Sequence, residues 1–98
     1  MLEIRQTAIF AKWFKGLKDR RAKVRIQARI DRMELGNFGD VSSVGEAISE
    51  LRIDYGPGYR VYFVQRSSVV IILLLGGDKS SQKADIKKAK TLAEQLEN

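Results

Sequence analysis

With 98 residues, 44% hydrophobic and 31% charged, the chain is long enough for one core and too apolar to stay disordered. It contains neither cysteine nor histidine, which excludes disulfides, thiolate nucleophiles, Cys/His zinc sites and imidazole acid-base chemistry; Arg, Lys, Tyr, Asp and Glu are left to carry any reaction. The net charge of +6 sits in residues 1–35, where ten Lys/Arg face four acids while the remainder balances at eight of each; such asymmetry suits a polyanionic partner, nucleic acid or an acidic protein segment.

In chain order, "LEIRQ" alternates apolar and polar residues and reads as a short first strand. Thr7 can cap a helix whose Ile9, Phe10, Trp13, Phe14 and Leu17 recur at helical spacing and which ends near Gly16. That spacing assigns Trp13 and Phe14 to the core rather than to base stacking. Asp19 can cap a longer helix running to Gly36, with Ala22, Ile26, Ile30 and Met33 on one face and a stripe of Arg21, Arg25, Arg29 and Arg32 on another. The two helices, joined by a short link, form an antiparallel pair.

Residues 37–45 turn to Gly, Ser, Asp and Val and read as a loop with room for a short edge strand. "AISELRID", "YRVYFVQ" and "VVIILLL", separated by "YGPG" and "RSS" turns, then predict an antiparallel three-stranded meander. The last run is apolar throughout, as in a strand covered on both faces. A helix from about Gln82 to Leu96, with Ile86, Ala89, Leu92, Ala93 and Leu96 on one side, can supply the second cover. The order is an α+β layout in a single domain, residues 1–98. No basic-then-apolar leader opens the chain, and Val69 to Leu75 is too short to cross a bilayer. A cytoplasmic protein without membrane association is the expectation.

Residues two apart share a face of a strand. Tyr59, Val61 and Phe63 therefore form one face of their strand, and Arg60, Tyr62 and Val64 the other. On the preceding strand Leu51 and Ile53 oppose Glu50, Arg52 and Asp54. With the apolar faces inward, Arg52, Arg60 and Tyr62 are expected together on an outer face, and Tyr55, beside the turn, is expected to be exposed. Like charges across a sheet destabilise it, so an anion such as phosphate would convert the arginine pair into a site; alternatively, Glu50 and Asp54 neutralise the pair on a solvated face. In "GGDKSSQ", Lys79 and the start of the last helix offer donors to an anion, although capping preference reads Ser80 or Ser81 first as an ordinary N-cap. The spacing of a P-loop is missing.

"ELRIDYGPGYRVYF" together with "LLLGGDKSSQKADIKKA" and the earlier "KWFKGLKDRRAKVRI" resembles the RelE/ParE superfamily of toxins from type II toxin-antitoxin modules, closest to the HigB-like addiction-module killer branch. The resemblance implies a RelE-like, microbial RNase-like fold: an N-terminal strand and helix pair, the three-stranded meander and a C-terminal helix. It implies a cognate helix-turn-helix antitoxin as partner, and either cleavage of mRNA on the ribosome with translation inhibition and growth arrest, or, in ParE-like members, poisoning of DNA gyrase. Carried over by motif, Arg60 contacts the scissile phosphate, Arg52 is the basic residue of the preceding strand, and Lys79 is the one after the last strand.

In the nuclease reading Arg60 and Arg52 stabilise the transition state, Lys79 serves the leaving oxygen, and Tyr62 orients a proton. Free lysine and tyrosine titrate near pH 10, so proton transfer by either requires a shifted pKa. Neither metal nor cofactor is needed, and Arg21, Arg25 and Arg29 dock on RNA as phosphate contacts. The C-terminal tyrosine or histidine that assists proton transfer in RelE-like nucleases has no counterpart after Tyr62, a departure that favours gyrase as target. A non-enzymatic nucleic-acid-binding module, resting on charge alone, is the third reading.

Overall fold

A computed structural model describes residues 1–96. Thr7 starts the first helix in two ways: its Oγ1 accepts from Phe10 N at 3.0 Å and donates to Leu74 O at 2.6 Å, tying the helix start to a central strand. This helix, α1 (Ala8–Gly16), follows strand β1 (Glu3–Gln6). Asp19 caps α2 (Arg20–Glu34) by accepting from Arg21 N and Ala22 N at 2.9 and 3.2 Å. Lys23 Nζ reaches back to Lys15 O at 3.0 Å, joining the two helices beside their link. The buried residues of α2 are Ala22, Ile26, Ile30 and Met33, the face expected from its periodicity. Ile9 on α1 departs from expectation, at 38% exposed.

Strands β2 (Val41–Gly45), β3 (Ile48–Ile53), β4 (Tyr59–Gln65) and β5 (Val70–Gly77) join β1 in one five-stranded sheet of order β1-β5-β4-β3-β2. The three-stranded meander is present as β3-β4-β5 with antiparallel pairing, β1 adds in parallel to β5, and the short edge strand allowed for in residues 37–45 is β2. A 3-10 turn (Lys79–Ser81) leads into α3 (Gln82–Leu96). The α+β, RelE-like layout expected from the sequence is the one observed.

The sheet is covered on both faces. On one, Phe10 of α1 and Ile26, Ile30 and Met33 of α2 pack on Leu51, Ile53, Val61, Phe63, Ile71 and Leu73, with Trp13, Phe14 and Tyr59 half-buried at the margin. On the other, Ala89 and Ala93 of α3 pack on Ile48, Tyr62, Val64, Leu74 and Leu75. Leu74 and Leu75 are neighbours yet belong to the same cluster because a bulge between Tyr62 and Phe63 shifts the β4–β5 register. Leu96, expected on the apolar side of α3, is 41% exposed. Gly76 has no room for a Cβ, because the Trp13 indole lies against it; Gly77 meets Asp85 and Ser81 in the same way on the opposite face.

Candidate functional site

The β3–β4 hairpin turns through Gly56 (φ 57°) and Gly58 (φ 80°), conformations that strain residues with a Cβ. Gly58 N donates to Tyr55 O at 3.1 Å to close the turn. The resulting register sets Arg52 directly across from Arg60 and Glu50 across from Tyr62. Two guanidiniums thus face each other, at a cost of roughly 0.2–1 kcal/mol if uncompensated.

Each arginine has its own carboxylate. Arg52 Nη2 lies 2.9 Å from Asp40 Oδ1, a half-exposed pair worth at most about 1 kcal/mol. Arg60 Nε lies 3.6 Å from Glu50 Oε2, with the side chains only 12% and 2% exposed. The solvated neutralisation by Glu50 and Asp54 is therefore corrected on both counts: Glu50 acts from inside the protein, and the partner of Arg52 is Asp40 from the loop before β2. Asp54 is exposed.

An open cleft of about 360 Å³ is lined by Arg52, Arg60, Lys79, Gly58, Ile53, Asp40 and Asp54. Lys79 arrives there because its backbone N donates to Pro57 O at 3.4 Å, docking the 3-10 turn on the hairpin. The cap of that turn is Asp78 rather than Ser80 or Ser81: its carboxylate accepts from Ser80 N at 2.8 Å, while Ser81 Oγ receives the Asp78 N–H. The Ser80 hydroxyl foremost, then the backbone N–H groups of Ser80 and Ser81 and the charge of Arg60, hold the Asp78 carboxyl below the usual carboxylate range against some desolvation.

Arg52, Arg60 and Lys79 are thus brought together, and Tyr62 is not. The expected outer face of the hairpin lies under α3, which covers β4 and β3 as well as β5, so Tyr62 is fully buried. Burial, then the charges of Glu50 and Asp85, push its hydroxyl far up from the ordinary tyrosine value. Tyr62 forms part of the second core and does not line the cleft.

The arginine stripe also divides. Arg29 is committed to structure: Nη1 donates to Arg52 O at 2.6 Å and Nη2 to Phe38 O at 3.3 Å, bracing the strand behind the cleft. Arg21 is exposed, and Arg25 is exposed with its guanidinium 4.7 Å above the Tyr55 ring. Tyr55, expected to be exposed, is half-buried and donates its hydroxyl to Asp19 Oδ2 at 3.0 Å, so one aspartate both caps α2 and holds the hairpin. A groove of about 250 Å³ between Arg25, Arg29, Arg32 and Ala28 shares Ile53 and Asp54 with the cleft, so the basic face runs into it. Among the described residues no group of three or more His, Cys, Asp or Glu is placed to hold a metal ion.

Residues 12–97 match the family model described as phage derived protein Gp49-like (DUF891), which spans the basic helix, the hairpin and the GGDK turn. The chain belongs to the Gp49-like family. This is a RelE-like toxin family of toxin-antitoxin systems, which agrees with the cationic cleft and with the fold. The Gp49-like chain is also 54% identical over 95 residues to an uncharacterized protein of Haemophilus influenzae, covering 97% of this chain and 96% of that protein.

Sequence reasoning missed Asp40 and misplaced Glu50. Asp40 ends the "GNFGD" loop and carries no local signal for its ion pair, which depends on Arg52 twelve residues away. For Glu50 the sequence offers only a conditional sign: an acid within a strand needs a partner if a helix covers it, and the docking of α3 is what covers it.

Proposed function

We propose that this protein is the toxin of a type II toxin-antitoxin module of the HigB-like kind, a cytoplasmic, ribosome-dependent mRNA endoribonuclease that inhibits translation and arrests growth until a cognate helix-turn-helix antitoxin neutralises it. The observation that carries this reading is the convergence of Arg52, Arg60 and Lys79, from three separate elements, on one open cleft. Three cations around a cavity of that size suit a phosphodiester. The cleft is continuous with the groove of Arg25 and Arg32, where further phosphates of the chain or of ribosomal RNA would lie.

In the reaction, the 2′-hydroxyl attacks the adjacent phosphorus and loses its proton as the bond to the 5′-oxygen breaks. The products are a 2′,3′-cyclic phosphate and a 5′-hydroxyl. Arg60 and Arg52 offer donors to the non-bridging oxygens, where charge accumulates; one such preorganised donor is commonly worth about 3–4 kcal/mol in the transition state. Lys79 places a positive charge near the leaving 5′-oxygen, which becomes the 5′-hydroxyl by taking a proton from the Lys79 ammonium, replenished from water. Of the two exposed carboxylates of the cleft, Asp40 is paired with Arg52, which leaves Asp54 as the one that would accept the 2′-proton. Arg21 and Arg25 supply RNA contacts, while Arg29 contributes indirectly by fixing the backbone of Arg52.

The test is primer extension on mRNA in a reconstituted translation system, with the protein and its Arg60→Ala variant, with and without ribosomes. Cuts that need ribosomes and vanish in the variant are expected; normal cutting by Arg60→Ala would sink the assignment. One observation favours a second reading, inhibition of DNA gyrase without nuclease chemistry: the cleft offers no tyrosine or histidine for proton transfer. Growth arrest with intact mRNA and accumulated gyrase-linked DNA breaks would establish that alternative.

A further inference from the structure

Glu50 is the single polar or charged residue among the fully covered side chains of the described chain, at 2% exposed. A carboxylate so far removed from water is costly unless paired and hydrogen-bonded, and an apolar side chain of the same size would serve the core better. Its surroundings account for its presence. Oε2 accepts from Gln82 Nε2 of α3 at 2.8 Å and lies 3.6 Å from Arg60 Nε. That nitrogen is itself sealed from solvent.

Arg60 is held from a second side, where Nη1 donates to Gly58 O at 2.7 Å. Two edges of the planar guanidinium are therefore set by the protein, and among the described residues none takes a hydrogen bond from Nη2. A guanidinium recognises phosphate by the direction of its donors as well as by its charge. Glu50 is not among the residues lining the cleft. At 3.6 Å it exceeds hydrogen-bond distance, so it orients the guanidinium by charge and takes no donor from it.

We propose that Glu50 is a positioning residue, its buried carboxylate braced by Gln82 and holding the Arg60 guanidinium so that the Nη2 donors meet a phosphate in the cleft. The inference rests on Arg60 as the phosphate contact of the proposed nuclease. It adds that α3 takes part in the site through Gln82, a residue far from the hairpin in sequence.

The full chain is tested as Glu50→Gln, alone and combined with Arg60→Lys. The Arg60 Nε–H resonance should exchange slowly with solvent in the wild type and at least about tenfold faster in Glu50→Gln, as expected for loss of a fixed, sealed geometry. Ribosome-dependent cleavage should fall about 100-fold in kcat with KM nearly unchanged, the scale of a misplaced catalytic group. Adding Glu50→Gln to Arg60→Lys should cost little more than Arg60→Lys alone. Gln82→Ala, a milder change, should shift exchange and kcat in the same direction by severalfold and keeps the test open if Glu50→Gln does not fold. An unchanged Arg60 resonance, additive losses in the double variant, or a variant that melts earlier yet cleaves normally per folded molecule would each overturn the proposal. Should the wild type cut no RNA, the nuclease reading fails, while the exchange measurement still decides whether Glu50 holds Arg60.

Discussion

Under α1 and α2 the sheet meets Phe10, Ile26, Ile30 and Met33, and the cluster they form contains no charged residue. Under α3 it meets Ala89 and Ala93, with Glu50 and Tyr62 in the same covered layer. The first face buries large side chains, each contributing roughly 1.5–3 kcal/mol. The second brings a helix close through alanines, gains less apolar area, and bears the desolvation of a carboxylate. This difference separates tasks: the face under α1 and α2 stabilises the fold, and the face under α3 gives up some stability to hold Arg60 in place.

The largest expected effect lies on the first face. Phe10→Ala should destabilise the protein by about 3–5 kcal/mol, the usual cost of emptying a buried aromatic site. The cleavage rate of the molecules that remain folded should not change. Urea unfolding gives the first quantity and active-fraction-corrected kinetics the second; a fall in rate per folded molecule would show that the faces are not separable in this way.

Arg60→Ala should act oppositely, lowering cleavage by about 10²–10³-fold. It should also cost stability, about 1–3 kcal/mol, because Glu50 then stays buried without its cation, beside the neutral Gln82 and Tyr62 side chains. If the melting temperature does not move, Glu50 is better solvated than its 2% exposure indicates.

Adjacent glycines sharpen the comparison further, since Gly76 faces Trp13 and Gly77 faces Asp85. Gly76→Ala drives a methyl into an indole held by the Phe10 and Tyr59 rings and should cost about 1–3 kcal/mol. Gly77→Ala meets a carboxylate at the end of a side chain able to swing aside, so its cost should be the smaller of the two. Equal melting temperatures for the two variants would mean that the α3 face is packed as rigidly as the other.

What the sequence revealed of this arrangement follows the range of the forces involved. The bounds of α1, α2 and α3 were legible because caps and 3.6-residue periodicity are local, and Thr7 and Asp19 cap as expected. The pairing of Arg52 with Arg60 was legible because the glycine-rich turn fixes the register. The bulge after Tyr62 was not, since the apolar run of β5 reads the same with or without an extra residue. Nor was the burial of Tyr62 and Glu50: alternation along β3 and β4 separates two faces, and only the docking of α3 decides that both are interior. Lys79 reached the cleft by a long-range contact with Pro57, which explains why its motif indicated the site better than its geometry did.

The smallest effect compares the two aspartate caps, Asp19 at the head of α2 and Asp78 ahead of α3. Partial desolvation pushes the Asp19 carboxyl up, but hydrogen bonds from Ala22 N, the Tyr55 hydroxyl and Arg21 N together outweigh it and hold the group below its usual value. Asp78 is lowered as well, chiefly by Ser80. For a carboxylate whose folded pKa is depressed, the stabilisation is fully present above the unfolded value of about 3.9 and is lost as pH falls through the folded one. Stability should therefore be flat toward neutrality and drop at acid pH. Asp19→Asn and Asp78→Asn should each reduce that drop, because asparagine still caps a helix but does not titrate. Urea unfolding between about pH 2.5 and 7 measures this. Asp19 also anchors Tyr55 of the hairpin, so its variant should additionally release the Tyr55 ring from Arg25, visible as a change in tyrosine fluorescence, while Asp78→Asn should leave that signal alone. If both variants shift the acid limb equally and neither changes Tyr55, the aspartate at the α2 face is only a cap and its hold on the hairpin contributes nothing.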